Sequence, residues 1–316
     1  MKRSPWLKEV LKAGRPFHFR RQNPLKHNLI NIGASSVLWS LIVGTILLTQ
    51  HIEWYLVPFL GIFLGSFFFG HFVLIIHECS HGMFLVHKNP DRHSSLNHRI
   101  GKIASIPFFT AYDRHWKEGH QIHHTDPCSS HDPQNPDPLD GKRLYDQLLR
   151  LCFIPFWFLM LNPSRKYDQS AIRLTKGILF WSVLLTVLQA SLKTALLLYV
   201  SFVVLSALNL LKIAQEHGSG LAKEEFAILR SRTYFYPFQF LFSPFNINYH
   251  FEHHANALIP WYLLPAYHKI ATSIVPKELQ SYYFHKTYLL QLSGKKECPP
   301  ISLLQAHSSK QNTVQN

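Results

Sequence analysis

The chain has 316 residues, of which 47% are apolar and only 16% charged, and its formal net charge is +14. So few charges, against roughly 25% in soluble domains, argue for a bilayer environment, and the basic balance calls for nucleic acid or an anionic membrane surface as its counterpart. Four cysteines (Cys79, Cys128, Cys152, Cys298) have no CxxC spacing; this excludes zinc-ribbon chemistry, speaks against a disulfide framework and points to a reducing compartment around the polar regions.

The first 28 residues are polar and basic, with no short apolar run ending in a small-residue cleavage site, so no cleavable signal peptide is expected. Leu29–Thr49 follows as an apolar run; at 1.5 Å per residue its ~21 residues give roughly 32 Å, close to the hydrocarbon thickness of a bilayer. A second run covers Trp54–Ile76, a shorter third Gly177–Ala190, and a fourth Thr194–Leu211. Only Gln50–Glu53 joins the first pair and Ser191–Lys193 the second, so both pairs read as tight helical hairpins. Ile103–Tyr112 and Leu148–Leu161 are too short to span and contain Pro107 and Pro155; they are predicted to be interfacial or partly embedded helices. The aromatic run Tyr234–Phe245 also suits the interface. The sequence after Ser293 is polar and is expected to be disordered. There is no internal repeat.

The charges orient these spans. All but one of the 32 Lys and Arg residues lie before the first run, between the second and third, or after the fourth; the exception is Lys193. The positive-inside rule then puts both termini and the long middle segment in the cytoplasm, in a bacterial inner membrane or an endoplasmic reticulum. Basic groups on that side meet anionic headgroups, which accounts for the net charge without nucleic acid. The predicted architecture is all-α and integral to the membrane: four transmembrane helices in two hairpins, interfacial helices, and a cytoplasmic histidine-rich cap.

Histidine carries the chemistry. The chain holds 21 histidines, and three clusters stand out: His77-Glu78-Cys79-Ser80-His81, His120-Gln121-Ile122-His123-His124 and His250-Phe251-Glu252-His253-His254. Residues three and four apart share a helix face, so each cluster can aim two or three imidazoles at one metal. At this histidine frequency an HxxHH string arises by chance about 0.1 times in such a chain, and two are far rarer. Eight imidazoles exceed the four of a zinc site and divide naturally between two metals with positions left for water or O2. His217, six residues after the fourth run, is a ninth candidate. Nearby acids could accept from the far ring nitrogens of bound histidines: Glu78, Glu118, Glu216 and Glu252, with Asp113 and Asp132 beside the second cluster. His71, His87, His93, His98, His115, His131 and His268 lack ligand spacing and read as structural or solvated.

The three strings, HECSH at His77–His81, HQIHH at His120–His124 and HFEHH at His250–His254, resemble the histidine boxes of the membrane fatty acid desaturase and hydroxylase superfamily. The similarity covers roughly Asn28 to Ile270, and the segments around box three, Pro244–His250 and Leu258–Pro265, look like the sphingolipid and rhizobitoxine-type branch. The resemblance implies a non-haem di-iron centre, with all eight box histidines and His217 as metal ligands, that uses O2 to oxidise a fatty acyl or related lipid chain. Desaturation is the leading outcome, and hydroxylation of a lipid, alkane or carotenoid on the same centre is the alternative. Some acyl-CoA desaturases carry an asparagine four residues before the extra histidine; here Ile213 stands there. With no HPGG haem motif present, electrons are expected from a separate ferredoxin or cytochrome b5 type donor with its reductase. The domain reading is a basic segment at 1–28, a desaturase-like membrane domain at 29–292 and a tail at 293–316.

Two other classes compete. HECSH also fits the HExxH of zinc proteases, with Glu78 as general base, but that leaves both HxxHH clusters without a use. A zinc transporter would place its ligands within the spans near the midplane, whereas these histidines lie beyond the span ends.

Overall fold

A segment facing lipid must satisfy its backbone internally, so long apolar runs become helices. The structure is a computed structural model, and it describes residues 5–133, 141–153, 170–218 and 221–285. In chain order its helices are α1 (Pro5–Ala13), α2 (Pro24–Leu48), α3 (Trp54–Ser80), α4 (Pro90–Ala104), α5 (Gly119–Thr125), α6 (Gly141–Phe153), α7 (Ser170–Val187), α8 (Leu192–His217), α9 (His250–Ala255), α10 (Leu264–Ile274) and α11 (Lys277–Tyr283). Three of them, α2, α3 and α8, are long and apolar enough to cross a membrane. They cover the first, second and fourth predicted runs. The third predicted run falls on α7, which has 18 residues and begins before Gly177, at Ser170.

Local chemistry sets the helix starts. Pro24 and Pro90 open α2 and α4, and the preceding Asn23 and Asn89 side chains each accept a backbone N–H of the first turn at 3.0 Å, an N-cap that uses donors with no partner inside the helix. Ser191 and Thr194 form a reciprocal capping box at the start of α8, so the turn after α7 ends in a built helix start.

The central element is α3, with α8 packed along it. Gly61 and Gly65 make this contact possible: a Cβ on Gly61 would lie 2.6 Å from Val200 Cγ1, and one on Gly65 2.6 Å from Val204 Cβ. Small residues four apart let two helix backbones approach closely. Around this pair, Leu64, Phe68, Phe108, Leu197 and Leu205 are buried in the main core. The outer faces are apolar but exposed, with Leu29 and Val37 on α2 and Leu179 and Val183 on α7, the surface that lipid would cover.

Ile103–Tyr112 is mostly buried within the protein, although Ile103 is exposed. It contains a turn at Ile106–Phe108, Phe109 takes a left-handed conformation (φ 56°), and Trp181 Nε1 donates to Pro107 O at 2.7 Å. The predicted piece Leu148–Leu161 coincides with the end of α6 up to Phe153 and otherwise lies outside the described residues, as does the tail. In Tyr234–Phe245, Tyr234 is buried while Phe238 and Phe240 are exposed.

A second core forms beyond the spans. Trp6, Leu7 and Val10 of α1 are buried with Phe251, Tyr267 and Tyr283 from α9, α10 and α11. Tyr267 Oη donates to Val10 O at 2.9 Å. The basic N-terminal segment therefore begins with an amphipathic helix docked on the C-terminal helices. A two-residue parallel pair, β1 (Thr233–Tyr234) with β2 (Phe284–His285), closes this region. The start of α2 ties the two cores together: His27 Nδ1 meets Tyr262 Oη at 2.9 Å, Asn31 Nδ2 donates to Phe84 O at 2.8 Å, and Trp261 Nε1 donates to Asn31 Oδ1 at 2.9 Å. The segments after the first and third boxes are thereby fixed to one helix.

Candidate metal centre

Two π-turns lead into the first two boxes. Phe72–His77 lies within α3, and Tyr112–Glu118 runs into α5. Each widens the helix and shifts the face on which later residues emerge, a feature that recurs at functional sites. The third box forms α9, and His217 is the last residue of α8.

The structure brings all nine candidate histidines together in two groups. His77, His81, His120, His124 and His253 form one; His123, His217, His250 and His254 form the other; within each, the potential ligand atoms lie within 4.8 Å of one another. Alternate residues of the HxxHH strings thus serve different groups, which places the groups side by side. His123 and His254 rings, for example, stand 5.0 Å apart within the second group, while His124 and His254, from different groups, stand 4.3 Å apart.

The geometry fits metal ions. In the five-histidine group, Nε2 atoms face one another at 3.0 Å for His77 and His253, 3.0 Å for His81 and His120, 3.1 Å for His120 and His124, and 3.0 Å for His124 and His253. Two nitrogens bound to one metal at about 2.1 Å and at right angles stand about 3.0 Å apart. Hydrogen bonds cannot account for the same set. A neutral imidazole Nε2 either carries one proton or offers one lone pair. A chain of five such atoms needs alternating donors and acceptors, and at least one donor would then owe its single proton to two neighbours. A cation at the centre lets every Nε2 present its lone pair. In the four-histidine group, His217 and His250 Nε2 face at 2.9 Å, and His254 Nε2 is buried without a hydrogen-bond partner.

Electrostatics keeps these rings in the ligating form. Burial pushes His81 down to about 3, and burial together with neighbouring rings holds His124, His250, His253 and His254 well below the ordinary imidazole range. They stay neutral, as metal binding requires.

The groups around the rings differ from the sequence reading in part. His123 Nδ1 donates to Asp132 Oδ2 at 2.8 Å, and Asp132 also accepts from Cys128 N at 3.0 Å. Glu216 Oε1 lies 3.3 Å from His250 Nδ1, and its other oxygen pairs with Lys212 at 2.6 Å. Glu78 Oε1 stands 3.7 Å from His77 Nδ1. Three candidates lie elsewhere. Glu252 accepts from Thr233 Oγ1, and from His268 Nδ1 at 2.5 Å, because its side chain leaves α9 on the face opposite His250 and His254. Asp113 pairs with Lys102 at 2.8 Å and with His98 at 3.4 Å. Glu118, at the end of the π-turn, is exposed.

Sequence reasoning missed Arg230. Its carbonyl accepts from His217 Nδ1 at 2.7 Å, while its guanidinium donates to Asp126 Oδ1 at 2.7 Å and to Pro127 O at 3.2 Å. It locks the loop after box two to the segment after α8. No local pattern announces such a contact, 104 residues apart in sequence. Lys212 could have been found, since Lys212 and Glu216 are four apart on one helix. Ile213 is a buried carbon side chain one turn before His217 and offers no ligand atom. Among the histidines outside the groups, His71 Nε2 meets Ala104 O at 2.8 Å and His115 packs edge-on against Trp116.

A fatty acid desaturase family model matches residues 52–286, most of the chain and all three boxes. The chain belongs to the fatty acid desaturase family. It is also 28% identical over 263 residues to the sphingolipid delta(4)-desaturase DES1 of Mus musculus, an alignment covering 78% of this chain and 75% of that protein. Membership makes this an enzyme of lipid oxidation, with a histidine-rich di-metal site and helices suited to a membrane.

Proposed function

We propose that the chain is a di-iron, O2-dependent desaturase of a membrane lipid chain, acting on a sphingoid-type lipid. The observation that carries this reading is the division of nine histidines into two adjoining groups at the ends of α3 and α8. Imidazole-rich sites with open positions suit iron, and five plus four nitrogens leave room on each metal. The irons would supply O2 activation and hydrogen removal from an unactivated CH2. The protein's own work is positional. Asp132, the Arg230 carbonyl and the Lys212–Glu216 pair hold His123, His217 and His250 in orientation. The apolar side chains of Phe72, Phe108 and Ile76, buried in the core that runs up to the first box, exclude water and fix the depth at which a lipid chain passes. All nine histidines are the metal ligands in this reading. The similarity to a sphingolipid delta(4)-desaturase supports the substrate class.

The proposed topology has four spans, with both termini and the histidine centre on the cytoplasmic side. It rests on the charge asymmetry, on the three long apolar helices and on the exposed apolar face of α7. A separate ferredoxin or cytochrome b5 type protein delivers electrons to that side. The test compares lipids by mass spectrometry with and without expression of the chain, the His253→Ala variant serving as control. Loss of two hydrogens in a sphingoid lipid is the expected result. Gain of one oxygen would assign hydroxylation instead, and an unchanged lipid profile would refute the reading.

A further inference from the structure

Trp116 combines a position and a chemical deficit that the metal centre leaves unused. It sits on the π-turn Tyr112–Glu118, four residues before His120. Its ring lies 5.9 Å from that of His120 and 5.6 Å from that of Phe72, and it packs against the main apolar core. It therefore stands where the lipid-facing core meets the five-histidine group. Its indole Nε1–H is buried and has no hydrogen-bond partner. A buried donor left unpaired is costly, and native structures rarely tolerate one without a function. Its neighbours bear on the lack: Phe72 offers no acceptor, and the Nε2 atoms of His81, His120 and His124 face one another.

We infer that Trp116 is a specificity-determining residue whose Nε1–H donates to an oxygen of the substrate, carried on the carbon next to the bond that is oxidised. The inference rests on the lipid-desaturase reading above and narrows it. Simple alkyl chains carry no oxygen near a mid-chain CH2, whereas a sphingoid lipid has a hydroxyl on the carbon beside the bond named by a delta(4) position. An indole N–H one helical turn from a metal ligand can reach only an atom close to the reacting carbon, so the oxygen and the oxidised bond must be neighbours. A site that provides a donor for a substrate hydroxyl discriminates against the analogue lacking it, because the donor is then left unpaired.

The test uses the full chain in membranes with its electron-supply system and two probes: a saturated sphingoid ceramide and the same ceramide lacking the secondary hydroxyl. The wild-type enzyme should favour the hydroxylated probe by about tenfold or more in kcat/KM. Trp116→Phe keeps the aromatic packing and removes the donor. It should retain the wild-type iron content, lower kcat/KM for the hydroxylated probe by about three- to tenfold, mainly through KM, and reduce the preference to about twofold. A Trp116→Phe enzyme that keeps the wild-type preference overturns the inference while leaving the desaturase reading intact, and so does a wild-type enzyme that desaturates both probes equally. A wild-type enzyme that desaturates no lipid refutes the underlying reading and the inference with it. Loss of iron from Trp116→Phe would show a role in holding His120 and would also overturn the inference.

Discussion

The two histidine groups are held in different ways. In the four-histidine group, His123 leans on Asp132 at 2.8 Å, His217 on the Arg230 carbonyl at 2.7 Å, and His250 faces Glu216 at 3.3 Å, itself paired with Lys212. In the five-histidine group, Glu78 stands 3.7 Å from His77; each group also holds one ring, His124 and His254, whose Nδ1 is buried with no partner. In one group two of four ligands rest on hydrogen bonds of 2.7 and 2.8 Å; in the other the acid beside His77 stands farther off. Ligand number and ligand orientation are alternative means of holding a metal, and partners behind the ligands contribute about 10- to 100-fold each in affinity. The difference teaches that the two metals should respond unequally to the same class of substitution.

The largest effect should follow from removing a ligand. His124→Ala or His253→Ala in the five-histidine group, and His217→Ala in the four-histidine group, should each abolish measurable lipid oxidation and lower iron content, read by product formation and metal analysis. Substitution behind the ligands should separate the groups. Asp132→Ala should weaken the four-histidine metal by about 10- to 100-fold, taking the iron content from two towards one per chain. Glu78→Gln should cost the five-histidine group less, and an equal loss from both would break the comparison.

Acid should act on both groups together. Burial holds His124, His250, His253 and His254 well below the ordinary 6.5, and His81 at about 3. Between those values the unfolded chain takes up protons that the folded chain refuses. The metal-free fold is therefore at full strength above pH 6.5 and weakens as pH falls, while the folded rings are already neutral and ready for metal. The expected loss is about 1 kcal/mol of metal-free stability per such histidine between pH 6.5 and 5.5, measured by thermal melting of the metal-free protein, with iron retention by the folded protein unchanged over that range. A smaller effect is expected far from both groups. Gly61→Leu forces side-chain volume between α3 and α8 and should destabilise the fold by about 1–3 kcal/mol, lowering Tm without changing the ratio of the two metals. Glu118→Gln, at an exposed position, should change stability by less than about 0.5 kcal/mol and leave iron content unaltered.

Much of the site was legible because ligand spacing is local. His120, His123 and His124 lie on one short helix, and the i, i+3, i+4 pattern identifies such a set before any fold is known. His217 was legible from its place at the exit of an apolar run. The long helices α2, α3 and α8 were legible because length and hydropathy are also local properties. Other features depend on tertiary packing. The π-turns before the first two boxes leave no signature in residue type. Docking of α1 on α10 depends on Trp6, Leu7 and Val10 finding an apolar partner more than 250 residues away, as Tyr267 and Val10 do. The acids show the limit most clearly: Glu216 and Glu252 look equivalent beside their boxes, yet one faces His250 and the other turns to His268. Tertiary packing decides between them, although each directly precedes a histidine.

The central claim, two irons held by nine histidines, is tested most directly by counting metal in the intact protein purified from membranes without added metal. The expected result is two irons per chain, falling below two in His124→Ala and in His217→Ala separately. A single zinc per chain, retained in both variants, would contradict it.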